Sequence, residues 1–418
     1  MARTTNRRVV ITGCGAVCAL GNNVDEIWDA ISRYQVGYQR ETYADPKIVA
    51  KYFGQIKNPP STKKISKAIL KFLPDFGRHG MVAADEAIAS AFGEEANLDD
   101  FYDPFERGVI FGTGWAGQDL QTEMSDLYRD SGWASPFSNL MAMPSVATAA
   151  LSMHWNLRGY QNTPIAACAT GSIAVGDAYE VIRSGRAKMM LAGGGESIKT
   201  LFNVWTVDVL RALSKEQETV EKACCPFSMD RSGFVMSEGA AVLCLEDYES
   251  AKARGANILA EISGFGSYSD AYDITSPAED LQARTRSIRA ACENAGIDAG
   301  DIDYINAHGT STPLNDLNET ECLKLAFGKR AYDIPTSSTK SYTGHLIAAT
   351  GALESIFCIK TMQTGLVPAT IHLHNPDPAC DLDYVPNVHR QDQEVNVALN
   401  VNYGFGGANS ALVFTRCN

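Results

Sequence analysis

Short apolar runs alternate with helix-patterned stretches from one end of this chain to the other. They read RRVVITG at 7–13, GVIFGTG at 108–114, MMLAGGG at 189–195, AAVLCLED at 240–247, IDYINAHG at 302–309 and NVALNVNYGFGGANSALVF at 396–414. Most have no regular in–out polarity, so both faces of each strand must be buried, which requires helices on both sides of a sheet. The pattern predicts an α/β protein. With 418 residues and 45% hydrophobic content there is material for one large core or two fused ones. No low-complexity linker interrupts the chain. The segment ESAKARGAN is the junction that best divides it into halves at 1–255 and 256–418.

A net charge of −13 argues against a nucleic-acid or membrane-surface binder. No apolar run reaches the length of a membrane span. The local exception in charge is Lys63, Lys64, Lys67 and Lys71, which reads either as a solvated helix face or as a dock for a small acidic partner. The first seventeen residues lack a secretory pattern, and the eleven cysteines are scattered without CxxC pairs, so a reducing cytoplasm is expected. Cys14, Cys18, Cys224 and Cys225 read as buried small hydrophobes, and His372 with His374 is weak evidence for a metal. No metal is expected.

GTGWAG at 112–117 fits the GxGxxG pattern of dinucleotide-binding turns. The next stretch, QDLQTEMSDLYRD, is polar, and no second strand ending in an acid comes about 20 residues later, as a ribose contact demands. Packing around Trp115 accounts for the glycines better.

The stretch PIAACATGSIAVGDAYEVI places Cys168 between a short apolar run and a helix whose Ile173, Val175, Ala178, Val181 and Ile182 recur at helical spacing, with Gly185 as its end. A cysteine at a helix N-terminus is expected to have a lowered pKa and to act as a nucleophile. A buried core thiol is the ordinary alternative. His308 follows the strand DYIN, and His345 opens a helical stretch 37 residues later. Two neutral imidazoles can donate hydrogen bonds to an oxygen that gains charge when a carboxylated thioester loses carbon dioxide. Glycines flanking Phe405 free a backbone N–H for an oxyanion hole and let the loop move.

Cys168 in ACATG, His308 in NAHGTSTPLND, His345 in STKSYTGHL and the stretch NYGFGGANSALVF together resemble the elongating β-ketoacyl-ACP synthases, ketosynthases of the thiolase superfamily. FSMDRSGFVMSEGAAVLCLEDYESAKARGA and CDLDYVPN extend the likeness over nearly the whole chain. The resemblance implies a thiolase fold, with duplicated αβαβα halves in a five-layer core, and a dimer. It implies an acyltransferase that needs no cofactor: Cys168 takes an acyl group from acyl carrier protein, and malonyl-carrier then condenses with it as carbon dioxide leaves.

By the same resemblance the amides of Cys168 and Phe405 form the oxyanion hole, and His308 and His345 bind the malonyl oxygen. Lys340 and Glu354 orient the histidines. Thr310 and Thr312 hold the phosphopantetheine arm, Phe405, between Gly404 and Gly406, gates the pocket, and Arg211 with the lysine cluster docks the carrier. Trp115 stands where the fatty-acid enzymes carry a smaller residue and is expected to block a straight long-chain pocket. Pro74 interrupts a segment the family usually keeps helical. Both departures suit a specialised type II polyketide or polyene pathway, with a second copy or a chain-length-factor homologue as partner. A silent partner subunit would lack Cys168, and a degradative thiolase would carry a second cysteine where this chain has His345.

Overall fold

The structure is a computed structural model that describes residues 6–215 and 218–417. Residues 1–5, the start of the N-terminal stretch that lacks a secretory pattern, lie outside it. Ten strands form one mixed sheet: β1 (Val9–Cys18), β2 (Arg107–Gly112), β3 (Gln161–Asn162), β4 (Met189–Glu196), β5 (Gly239–Asp247), β6 (Ala260–Ser269), β7 (Tyr304–Asn306), β8 (Thr336–Ser337), β9 (Val397–Gly404) and β10 (Ala408–Thr415). Their spatial order is β8-β7-β9-β10-β6-β1-β5-β4-β2-β3.

The order is a duplication. From β1 outward, β5 and β4 pair antiparallel, then β2 and β3 parallel. From β6 outward, β10 and β9 pair antiparallel, then β7 and β8 parallel. The two halves of the sheet meet where Val9–Ile11 pairs antiparallel with Ala260–Ile262.

Strand periodicity sorts the core into three apolar layers, because successive side chains point to opposite faces. In β5, Ala241, Leu243 and Leu245 face a central core, while Ala240, Val242 and Cys244 face an outer one. In β10, Leu412 and Phe414 face the same central core, and Ala411 and Val413 face a second outer core. Helices α2 (Thr170–Arg183) and α5 (Thr350–Thr364) fill the centre, with Val175, Ala178 and Ile182 from one and Leu353, Ile356 and Phe357 from the other. Helix α1 (Asp75–Phe92) covers one outer face, and α3 (Gln282–Ala295) with α4 (Pro313–Phe327) covers the other. The result is the five-layer αβαβα stack of the thiolase fold.

The duplication reaches single glycines. A Cβ at Gly13 or Gly15 of β1 would overlap the carbonyl oxygen of Ala87 or Ala83 on α1. A Cβ at Gly264 or Gly266 of β6 would overlap that of Ala291 or Ser287 on α3. Each outer helix therefore lies closer to its first strand than any side chain permits.

The helix end expected at Gly185 is met, with φ 78° just past α2, and the Asn23 side chain caps the helix Val24–Ser32. Pro74 caps the start of α1. Among the described residues no helix is long and apolar enough to cross a membrane.

Candidate active site

Cys168 lies in a 3-10 turn, Ala167–Ala169, that runs directly into α2. Ala167 has φ 46°, a left-handed conformation costly for a residue with a Cβ, and it turns the thiol into the interior ahead of the helix. The second half repeats the device: Ile347, with φ 50°, opens the 3-10 turn Ile347–Ala349 ahead of α5. The helix N-termini pack closely, since a Cβ at Gly171 would stand 2.7 Å from the Ala348 carbonyl and one at Gly351 2.6 Å from the Ser172 amide. The thiol thus sits at the N-terminus of one central helix and beside that of the other.

The expected low pKa is not realised. Burial pushes the Cys168 thiol up to about 12, against opposing contributions from Lys340 and the Phe405 amide. Removal of the sulfur from water outweighs the charge of Lys340 and the amides beside it.

His308 follows β7 on a loop anchored from below. Glu319, buried on α4, accepts the His308 and Gly309 amides, each at 2.7 Å, and Asp316 accepts the Thr310 amide at 3.0 Å. Thr312 caps α4. His345 follows Gly344, whose φ of 66° turns the chain after the short helix Lys340–Thr343.

The Ile347 amide donates to His345 Nδ1 at 3.2 Å, with Thr350 Oγ1 at 3.0 Å. Nδ1 is therefore an acceptor and Nε2 carries the proton; that Nε2 is buried without a protein partner. The two imidazoles stand 5.5 Å apart at 83°. Burial, reinforced by the charge of Lys340, holds both well below the ordinary histidine range, so both are neutral.

The thiol and both histidines offer ligand atoms within 4.8 Å of one another, a spacing that could also admit a metal ion. The protonated Nε2 of His345 opposes that use and suits donation to an oxygen instead.

Lys340 and Glu354 form a buried ion pair at 2.6 Å, and Asn402 of β9 donates to the second Glu354 oxygen at 2.7 Å. Neither ion hydrogen-bonds an imidazole among the described residues, so their influence on the histidines is through charge.

A cleft of about 420 Å³ joins these groups to solvent. Cys168, His308, His345, Thr310, Thr312, Gly404, Phe405, Gly406 and Arg211 all line it, with Lys215 beside Arg211. The Thr310 and Thr312 hydroxyls are 2.9 Å apart. Gly404 to Gly407 form the hairpin turn between β9 and β10, with φ 81° at Gly406 and 76° at Gly407. A Cβ at Gly404 would stand 3.2 Å from the Cys168 amide, so glycine brings this turn against the thiol.

Trp115 lies outside that lining, packed against an apolar cluster that contains Cys168, Ile198, Val204, Val207, Phe234 and Ile347. The Gly114 and Trp115 amides, which a cofactor phosphate would need, bind the buried Glu196 carboxyl at 2.7 and 3.2 Å. Lys63, Lys64, Lys67 and Lys71 are exposed around the short helix Lys67–Leu70 and do not line the cleft. Lys64 pairs with Glu94 at 2.6 Å, while Lys67 and Lys71 border a shallow cavity with Arg78 and His79. His372 bonds the Cys224 carbonyl.

Sequence patterns alone did not single out Glu319, Asn402 or Phe234, whose ring packs edge-on to His345 at 5.1 Å. The available signal was that two asparagines, Asn400 and Asn402, interrupt an otherwise largely apolar strand.

Models of the β-ketoacyl synthase N-terminal and C-terminal domains match residues 6–251 and 259–374. The chain is 40% identical over 415 residues to the 3-oxoacyl-[acyl-carrier-protein] synthase 2 of Staphylococcus aureus strain COL, covering 98% of this chain and 99% of that one. Among solved structures, a type II polyketide ketosynthase bound to the hexaketide, in complex with its acyl-carrier protein, superposes with a TM-score of 0.89 at 32% identity, covering 99% of this chain and 100% of that one. The ishigamide ketosynthase/chain length factor superposes with a TM-score of 0.89 at 27% identity over the same shares. With both domain models matched along a chain that carries the Cys-His-His cleft, this protein belongs to the β-ketoacyl synthase family.

Proposed function

We propose that the chain is a 3-oxoacyl-ACP synthase that joins a Cys168-bound acyl group to malonyl-carrier. The observation that carries this reading is the convergence of one thiol, two neutral imidazoles and the Phe405 turn at the floor of one cleft. In the first stage the Cys168 sulfur displaces the carrier thiol from an acyl thioester. The amides of Cys168 and Phe405, both directed at the sulfur region, stabilise the oxyanion.

In the second stage His308 and His345 hold the malonyl thioester oxygen. The bond to the carboxylate breaks, carbon dioxide leaves, and the electron pair forms the enolate. That carbon attacks the acyl carbon, and the Cys168 thiolate departs to regain its proton. Neutral imidazoles suit the task because each can offer an N–H donor to the oxygen as negative charge develops there. Lys340, ion-paired with Glu354, keeps them neutral through its charge and draws the thiol toward ionisation.

Thr310 and Thr312 hold the pantetheine arm, and Phe405, hinged between Gly404 and Gly406, gates the cleft. Arg211 and the surface formed by Lys63, Lys64, Lys67 and Lys71 receive an acidic carrier protein. Trp115 limits the acyl pocket to short or bent chains, which favours a specialised polyketide or polyene pathway over general fatty-acid elongation. The halves divide at 255/256, and eleven unpaired thiols suit a cytoplasmic place of work.

The partner subunit is a second copy or a chain-length-factor homologue; the likeness to the ishigamide pair favours keeping the second reading. The test is release of labelled carbon dioxide from carboxyl-labelled malonyl-carrier. Wild type is expected to release it, and His308→Ala and His345→Ala to lose it by at least about a hundredfold. Undiminished release in both variants would contradict the assignment.

A further inference from the structure

The cleft wall holds a cation that the condensing scheme leaves unused. Arg284, in the first turn of α3, is 6% exposed, yet among the described residues it makes no ion pair. Its Nη1 donates to the Asn315 Oδ1 at 3.1 Å, its guanidinium lies 4.1 Å above the centre of the Tyr403 ring, and its Nε has no partner. Keeping an arginine out of water without a carboxylate is unfavourable, and a fold tolerates it best where an anion arrives from outside. Helix packing alone would be served by an apolar side chain.

Its position identifies which anion. Tyr403 precedes the Gly404–Gly407 turn, and its ring stands 5.6 Å from that of His308, so Arg284, Tyr403 and His308 follow one another along the same wall. The charged side chains lining the cleft are Arg211, Lys215 and Arg284 against Asp270 alone, on a chain of net charge −13. Asp270 is occupied by Asn409 Nδ2 at 2.7 Å. Arg211 and Lys215 are exposed at the mouth, where the arm's phosphate would lie. Arg284 is deep, with the Tyr403 ring between it and His308, whose imidazole holds the thioester oxygen, and in a malonyl group the free carboxylate is one carbon from that thioester.

We propose that Arg284 recognises the free carboxylate of the extender and so separates malonyl arms from acyl arms, which lack one. This rests on the condensing function proposed for the cleft. The carboxylate departs as neutral carbon dioxide, so the ion pair belongs to the bound substrate and fades as the carbon–carbon bond breaks. Its loss therefore raises KM and leaves kcat unchanged or raised.

The test uses the full-length enzyme with Arg284→Gln and Arg284→Lys. Two quantities are measured: KM and kcat for carbon dioxide release from malonyl-carrier, and inhibition by pantetheine arms ending in a malonyl amide or an acetyl amide, neither of which reacts. Arg284→Gln is expected to raise KM about tenfold with kcat held or increased. The malonyl amide should weaken in step, the acetyl amide should be unaffected, and Arg284→Lys should recover part of the loss. An unchanged KM, or equal weakening of both amides with a fall in kcat, would overturn the proposal and leave Arg284 a support for Tyr403. If wild type released no carbon dioxide the condensing function would fail, while the amide pair would still decide whether Arg284 reads a carboxylate.

Discussion

At Cys168 opposing physical effects compete, and burial prevails over the charge of Lys340 and the nearby amides. With its pKa pushed up to about 12, the resting group is a neutral thiol at neutral pH. The thiolate fraction then grows about tenfold per pH unit, so iodoacetamide labelling of Cys168, followed by peptide mass spectrometry, should accelerate about tenfold per unit from pH 7 to 9. A rate already level above pH 8 would contradict this environment. The chemistry-bearing residues themselves were readable, because cysteine and histidine at strand ends and helix starts are uncommon and each had distinctive glycine-rich flanks. Glu319, Asn402 and Arg284 were not, since in one dimension each is an ordinary polar residue of a helix or strand. Their importance comes from burial, which only the fold reveals. Burial likewise pushes the Glu319 carboxyl up to about 7 although it accepts two loop amides.

Among the elements, the close approach of outer helices to first strands is the most exacting feature. Gly15 and Gly264 lie on the first strands of the two halves, each with a helix carbonyl where a Cβ would go. Gly15→Ala and Gly264→Ala should each lower stability by about 1–3 kcal/mol, visible as a lower urea midpoint at unchanged slope. Variants as stable as wild type would mean that the helices shift freely. The long apolar strands were legible from composition and run length. The two-residue strands β3 and β8 were not, nor was the pairing of β1 with β6, because it joins segments about 250 residues apart and leaves no local pattern. The helix Gln118–Ser131 read as polar, and none of its residues is buried within this chain.

Taken whole, the molecule exposes large apolar groups around that helix: Leu127, Tyr128, Trp133, Phe137, Leu140 and Met143. Such a group is unusual on an isolated soluble chain and suits an interface. A Trp133→Glu, Phe137→Glu double variant should sediment as a monomer where wild type, alone or with the proposed partner subunit, sediments as a dimer. An unaltered dimer would place the interface elsewhere. The proposed function turns on acyl transfer through Cys168, which intact-mass spectrometry can observe as it happens. Wild type and Cys168→Ala would be incubated with an acyl-carrier series from acetyl to hexadecanoyl, and malonyl-carrier added afterwards. An acyl adduct is expected on wild type alone, strongest for short chains, and it should disappear on addition of malonyl-carrier as 3-ketoacyl-carrier forms. An adduct that survives malonyl-carrier, or one that forms equally on Cys168→Ala, would contradict a condensing role for this thiol.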